Sequence, residues 1–360
     1  MSKYSIISKR VIAAALGLAV TISLTSCSGN KPDNTQTTTA ATTTTAAPTT
    51  TKPVNPNAIN PLTGVQDLDK SAVDKRPVAI MINNIKPAQA VQTGVGNADM
   101  VFETLVEGGI TRLMAVFSDV SKMGQIGTVR SARYTYAELA YGLDARYVHC
   151  GSDDDYNTPF MRDLGMDNLD LGYNASSAGV RISNGLAWEH TLYTYGDKLS
   201  AVANKGRTEI KDRAKDVYSF NDETSPVKYD NEATDVFVKF SSSYKSTFEY
   251  DTETKKYIRG NNGSTLKDYK TGKTEQFKNV IVIFTDVHEL SDGKHMKSEL
   301  TSGNGYYITE GTYTEIKWSK NGSSNPLKFT NTDGSELKLN AGNSYICITD
   351  NEYESVISFN

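Results

Sequence analysis

Arg76-Pro77-Val78-Ala79-Ile80-Met81-Ile82-Asn83 and Asn97-Ala98-Asp99-Met100-Val101-Phe102-Glu103-Thr104-Leu105-Val106-Glu107-Gly108-Gly109 decide how the fold is read. The first is a short apolar run and reads as a buried strand. The second reads as a helix. Asn97 is a preferred cap, Ala98, Val101, Phe102, Leu105 and Val106 share one face, and Gly108-Gly109 ends the run. Residues 111–117 and 126–130 then read as strands. A second helix starts near Ser131, with Tyr136, Leu139, Ala140 and Leu143 inward and Gly142 near its end. Residues 146–150 are again a strand. Thr158-Pro159 opens a short helix that Gly165 stops, and a further helix covers roughly 194–205. Strands alternating with helices predict an α/β domain over 61–228.

Past Asp230 the pattern changes. Residues 236–240, 247–250, 256–259, 280–284, 313–318, 327–330, 336–339 and 344–349 are short and rich in β-branched and aromatic residues. Asn, Gly and Asp punctuate them. This predicts a β-rich second domain over 229–360 and an α+β protein overall.

Upstream, Lys3, Lys9 and Arg10 precede an apolar run from Val11 to Leu24, which closes on Thr25-Ser26-Cys27. A basic region, a short apolar region and small residues before the cut describe a secretory leader over 1–26. The run is too short for the roughly 20 apolar residues of a membrane span. Cysteine directly after Leu24-Thr25-Ser26 resembles a bacterial lipoprotein signal, so Cys27 is expected to carry the lipid and hold the chain on the membrane. The 27–60 stretch is dominated by Thr, Ala, Pro, Asn and Lys, cannot bury a core and reads as a disordered tether. Fully extended it would reach on the order of 100 Å. The expected location is the extracytoplasmic face of the cell membrane.

The formal net charge of −4 becomes −7 once Lys3, Lys9 and Arg10 leave with the leader. An acidic body argues against nucleic acid as a partner, since polyanions attract basic surfaces. Besides Cys27 only Cys150 and Cys347 exist, far apart in sequence, which favours free thiols over a disulfide. No cofactor is indicated. Gly94-Val95-Gly96 lacks the third glycine of a dinucleotide fingerprint, and no nucleophile elbow, paired-histidine zinc motif or phosphate loop occurs.

Chemistry concentrates between Asp99 and Arg133. On a helix, Asp99, Glu103 and Glu107 would form an acidic stripe, which is unfavourable alone. Arg112, Arg130 and Arg133 follow closely, the last two around a helix start, where a cation opposes the macrodipole. Two arrangements relieve both oddities. Either the carboxylates meet the arginines in an internal network, or the arginines hold an anion at the helix start. In the second case Arg112, Arg130 and Arg133 clamp a carboxylate, phosphate or sugar acid, oriented by Glu103 or Glu107, with Ser131 and His149 beside them. His149 ends a strand, where α/β sheets gather ligands, and is a candidate general base with Glu103 as its acid–base partner. Asp153, Asp154 and Asp155 read as caps of the next helix rather than metal ligands. Trp188-Glu189-His190-Thr191-Leu192-Tyr193, with Arg181 upstream, forms a separate polar-aromatic cluster suited to sugar or peptide contact.

These residues resemble the YerB-like family of bacterial lipoproteins. The matching blocks are Asn60-Pro-Leu-Thr-Gly64, Arg76-Pro-Val-Ala-Ile-Met-Ile-Asn-Asn84, Ala98-Asp-Met-Val-Phe-Glu103, Glu107-Gly-Gly-Ile-Thr-Arg112 and Ile126-Gly-Thr-Val-Arg-Ser-Ala-Arg133. Tyr147-Val-His149, Leu192-Tyr-Thr194, Tyr257-Ile-Arg259, Asn279-Val-Ile-Val282 and Gly305-Tyr-Tyr307 extend the resemblance over nearly everything after Asn60. Where the family often has His-Gly-Gly, this chain has His149-Cys150-Gly151. The resemblance implies an anchored envelope protein with an α/β domain followed by a β-rich one and no assigned reaction. Three functions stay open from sequence: binding of an anionic envelope ligand in an arginine-lined cleft of the first domain, an envelope hydrolase or transferase using His149 and Glu103, and a scaffold for an envelope protein complex.

Overall fold

The computed structural model describes residues 55–360. The leader over 1–26, lipidation of Cys27 and most of the 27–60 tether lie outside the described residues. The end of that tether is already folded: Ala58 bridges Leu68, and the buried Asn60 donates to Asp99 Oδ1 at 3.0 Å.

The helix expected over 97–109 is not formed. Met100–Leu105 is a strand, preceded by a 3-10 turn at Val95–Asn97 and followed by another at Glu107–Gly109. The cause is burial on both faces. Val101 packs into one hydrophobic core and Met100 and Phe102 into another, on the opposite side of the sheet. A strand covered on both faces is apolar at nearly every position, so its spacing also satisfies a helical template. Gly108 and Gly109, at φ of 73° and 69°, allow the tight return to Thr111–Phe117, because a left-handed backbone costs glycine little.

Without that helix the first segment is a mixed sheet. Val78–Asn83 and Met100–Leu105 both pair antiparallel with Thr111–Phe117, and Val78–Asn83 also pairs parallel with Arg146–His149. The helix Tyr134–Gly142 makes the crossover into Arg146–His149, and Asn157–Asp163 the crossover into Asn168–Asp170. Asp153 Oδ1 accepts from the N–H of Tyr156 and Asn157 at 2.8 and 2.9 Å, as a helix cap should.

Strands from both halves of the chain form one 11-stranded sheet. Its order is Asn231–Glu232, Thr312–Ser319, Ser302–Thr309, Asn279–Thr285, Ser344–Asp350, Met100–Leu105, Thr111–Phe117, Val78–Asn83, Arg146–His149 and Asn168–Asp170, with Lys328–Asn331 beside Thr312–Ser319. The seam is parallel, with Val101 opposite Tyr345, Phe102 opposite Ile346 and Glu103 opposite Cys347. Thus 61–228 and 229–360 are two stretches of sequence and one hydrogen-bonded body.

One face of this sheet is covered by the Tyr134–Gly142 helix, through Tyr136, Leu139 and Ala140. The other is covered by a second sheet that includes Asp235–Lys239, Lys245–Asp251 and Lys256–Asn261. Phe248 and Phe277 from that layer meet the Tyr345 ring edge-on, both at 5.0 Å between centroids. Strand outweighs α-helix even in the first half.

A chain ending at residue 228 strips Met100–Leu105 of its parallel neighbour and exposes Val101 and the edge beside it. It should show no cooperative urea transition by tryptophan fluorescence or circular dichroism. A sharp, reversible transition of the fragment would contradict the shared sheet.

Candidate functional site

Val78–Asn83 and Arg146–His149 pair directly from Val78 and Arg146 as far as Ile80 and Val148. Beyond that point the segment around Arg130 wedges between them. The Arg130 N–H donates to Met81 O at 3.1 Å, and its carbonyl accepts from Cys150 N at 3.0 Å. Asn83 N–H reaches Thr128 O, and Ala132 N–H reaches Gly151 O, both at 2.9 Å. Parallel strands leave their carboxyl-end groups open for such insertions, which is also where ligands collect in sheets of this kind.

The three arginines have different fates. Arg112 Nη2 lies 3.1 Å from Glu107 Oε1, and its Nη1 donates to Ser131 O at 2.7 Å. Arg133 Nε donates to Glu107 Oε2 at 2.7 Å, its Nη2 is bonded to Glu107 Oε1, and its Nη1 reaches Ala132 O at 2.7 Å. Glu107 is therefore held in a fork by two charges. Burial alone would raise its carboxyl, but the Arg133 hydrogen bonds and the charges of Arg112 and Arg133 outweigh it and hold the pKa down to about 2. Arg112 is pulled down to about 9 by burial and then by the Arg133 charge, and stays cationic at neutral pH.

Arg130 differs. Its guanidinium is half-buried and makes no hydrogen bond or ion pair among the described residues, although burial works against its charge. Glu189 is the strongest opposing charge near it. Glu189 belongs to the Trp188–His190 turn, so the fold joins two clusters that were separate in sequence. In that turn Trp188 is 69% exposed, with the Arg181 guanidinium 4.2 Å above its ring. The Ser131 hydroxyl has no hydrogen-bond partner among the described residues and lies beside Gly151.

The other expected members do not join. Glu103 is fully buried, and its Oε1 accepts from Asn84 Nδ2 at 3.0 Å and Thr111 Oγ1 at 2.6 Å. Its Oε2 accepts from Ser246 Oγ at 2.7 Å and Tyr345 OH at 2.6 Å. It neither meets the arginines nor reaches solvent. The predicted acidic stripe fails with the helix that carried it, and Asp99 instead accepts from the Ser118 N–H at 2.6 Å. His149 is buried, with Nδ1 3.0 Å from Gly151 O and Nε2 3.1 Å from Asn168 Oδ1. Burial lowers its pKa, and each ring nitrogen faces a protein oxygen rather than solvent. The acid–base pair of His149 and Glu103 is not assembled.

Cys150 and Cys347 are free thiols, and burial pushes both up in pKa. No group of three or more His, Cys, Asp or Glu fit to hold a metal occurs among the described residues.

Sequence reasoning missed the environment of Glu103. Arg259, equally buried, binds Glu275 Oε2 at 2.7 Å and Asn84 Oδ1 at 2.9 Å. The available signal was Arg259 on the inner side of an alternating strand, in line with the buried Tyr257.

Residues 62–209 match the N-terminal domain, and residues 236–346 the C-terminal domain, of a family described as "Protein of unknown function (DUF3048)". "Putative lipoprotein YerB" of Bacillus subtilis (strain 168) is 29% identical over 301 residues, 80% of this chain and 85% of that protein. The chain belongs to the YerB-like family. The crystal structure of the YerB protein from Bacillus subtilis matches with a TM-score of 0.66 at 26% identity, over 80% of this chain and 95% of that one. The YerB-like blocks at 107–112 and 126–133 are the ones that build the Glu107 fork and present Arg130.

Glu107→Gln should destabilise the protein by about 3–5 kcal/mol in urea at neutral pH, because Arg112 keeps its burial and loses its counter-charge. The depressed Glu107 pKa contributes stability that is fully present above its ordinary value of 4.5 and lost as pH falls toward about 2. The variant should therefore show a flatter stability profile than the parent across that window.

Proposed function

We propose that this YerB-like chain is a lipid-anchored, extracytoplasmic cell-envelope protein that binds an anionic envelope ligand at Arg130. The observation that carries this reading is a half-buried guanidinium without a partner, at the carboxyl ends of parallel strands, among arginines that outnumber the carboxylates. Arg112 and Arg133 add long-range attraction while Glu107 fixes their positions. The anion would contact Arg130 and the Ser131 hydroxyl, and the exposed Trp188 ring offers a stacking face for a sugar carrying the charge.

The leader over 1–26, the cysteine that follows it and the lipoprotein relative support the anchorage. No helix among the described residues is long and apolar enough to cross a membrane. The membrane partner is then the lipid on Cys27, and the wall-side partner is the anion. A hydrolase or transferase reading would need a base other than His149 and an acid other than Glu103. No specific observation favours the scaffold.

Thermal unfolding of the tetherless protein with inorganic phosphate, glycerol phosphate oligomers and muropeptides tests the proposal. At least one anion should raise Tm by several degrees, and Arg130→Ala should abolish the rise while keeping its own transition. A parent protein unmoved by every anion, or equal shifts in the variant, would refute it.

A further inference from the structure

A cavity of about 460 Å3 opens at the amino ends of three parallel strands, Met100–Leu105, Ser344–Asp350 and Asn279–Thr285. Val78–Asn83 runs in the same direction, so this is the opposite end of the sheet from Arg130. The volume falls in the range of roughly 300–1,000 Å3 typical of small-molecule sites. Both halves of the chain supply walls. The segments around Asp67 and Asn97 come from the first, and those around Lys256, Lys278 and Gly342 from the second. Gly342 N–H donates to Thr63 O at 2.8 Å and Ser344 N–H to Asp99 O at 3.0 Å, which fastens the walls together.

Two of its lysines have different fates. Lys278 Nζ is bonded to Glu310 and reaches Lys255 O at 3.5 Å. A Cβ on Gly342 would lie 2.5 Å from Lys278 Cβ, so glycine there lets the lysine stem cross the loop. Lys256 is half-buried, and its ammonium makes no hydrogen bond or ion pair among the described residues. Asp251 is its cross-strand neighbour. That carboxylate instead accepts from Glu253 N–H at 3.0 Å, Thr254 Oγ1 at 2.8 Å and Gln276 Nε2 at 3.2 Å. Burial and then the Lys278 charge lower the Lys256 pKa, and no carboxylate works the other way. The ammonium is not sealed in the interior, so a ligand in the cavity can reach it. A half-buried cation without a counter-charge is costly until something pairs with it. Asp67 and Glu223, both from the first half, are exposed, line the same cavity and make no ion pair among the described residues. Asp99 is already taken by Asn60 and Ser118.

We propose that this cavity is a second binding site, which takes a short peptide as a zwitterion, with its free carboxylate on Lys256 and its free ammonium toward Asp67 and Glu223. The unpaired charges stand on different walls, positive from the second half of the chain and negative from the first. A dianion such as phosphate would be repelled by the two carboxylates, and a simple cation by Lys256. A ligand that carries both charges satisfies both walls. The carboxylate oxygens accept from the lysine ammonium, and the ligand ammonium donates to the side-chain carboxylates. The Asn97 side-chain amide lines the cavity, makes no hydrogen bond among the described residues, and can pair with the peptide group between the two ends. The site is separate from Arg130 and does not rest on the reading given for it.

The test titrates the mature chain with dialanine of either hand, followed by calorimetry and by the backbone amide shifts of residues 254–256. N-acetyl-dialanine lacks the ammonium, dialanine amide lacks the carboxylate, and inorganic phosphate is a plain anion. Dialanine should bind, and each blocked form should bind about tenfold more weakly or not at all. Lys256→Met keeps the apolar stem and should weaken dialanine by a similar factor while leaving dialanine amide unchanged. Lys256→Arg should restore most of the loss. Lys256→Met should unfold at no lower urea concentration than the parent, because it removes an unpaired charge, so lost binding is not a folding defect. No binding of dialanine by the parent, equal binding of either blocked form, or unchanged affinity in Lys256→Met would overturn the proposal. Tighter binding of phosphate than of dialanine at residues 254–256 would also overturn it, and assign the cavity to simple anions.

Discussion

Met100–Leu105 is bonded on one side to its own hairpin partner and on the other to Ser344–Asp350, more than two hundred residues away. The rest of the molecule depends on that parallel seam. It makes one sheet of two stretches of chain, and it sets Tyr345 where Phe248 and Phe277 can close over it. It also brings the Tyr345 hydroxyl to Glu103. Four donors on one buried carboxylate satisfy a charge that would otherwise be prohibitive in the core. Two of them, Asn84 and Thr111, come from the first segment, and two, Ser246 and Tyr345, from the second. Glu103 is thus a polar lock between the halves, which are joined by hydrogen bonds as well as apolar area.

The same strand directions create the candidate site. Because Val78–Asn83 and Arg146–His149 run parallel, their carboxyl ends open together, and the segment around Arg130 threads between them. Two of its neighbouring arginines are consumed by Glu107, which turns a cluster of like charges into a rigid frame. The third is left over. An internal network and an anion site were alternatives in the sequence; in the structure Arg112 and Arg133 join Glu107 in a network, and Arg130 stays outside it.

Several features were legible because they are local. Most strands of the second half follow from β-branched and aromatic runs between turn residues, though Ser302–Thr309 was missed; the helix Tyr134–Gly142 follows from its apolar spacing, and Asp153 from cap chemistry. The expected helix over 97–109 shows the limit. Apolar residues at 101, 102 and 105 satisfy a helical template, and they satisfy a doubly buried strand equally. Only the layers on either side separate the two, and those layers come from the far end of the chain.

By itself the sequence determined the expected compartment, the apolar segments, the family and the residues rich in charge, because each of these is written in neighbouring positions. The tertiary structure decided which charge each residue meets. Glu103 and Glu107 lie four residues apart and look alike, yet one is sealed in the core by Ser246 and Tyr345 and the other is forked by Arg112 and Arg133. Arg130 and Glu189 come together only because a loop is wedged between two parallel strands. Coulomb and hydrogen-bond partners are set by distance in space, and in a sheet assembled from both ends of a chain that distance has no counterpart along the sequence.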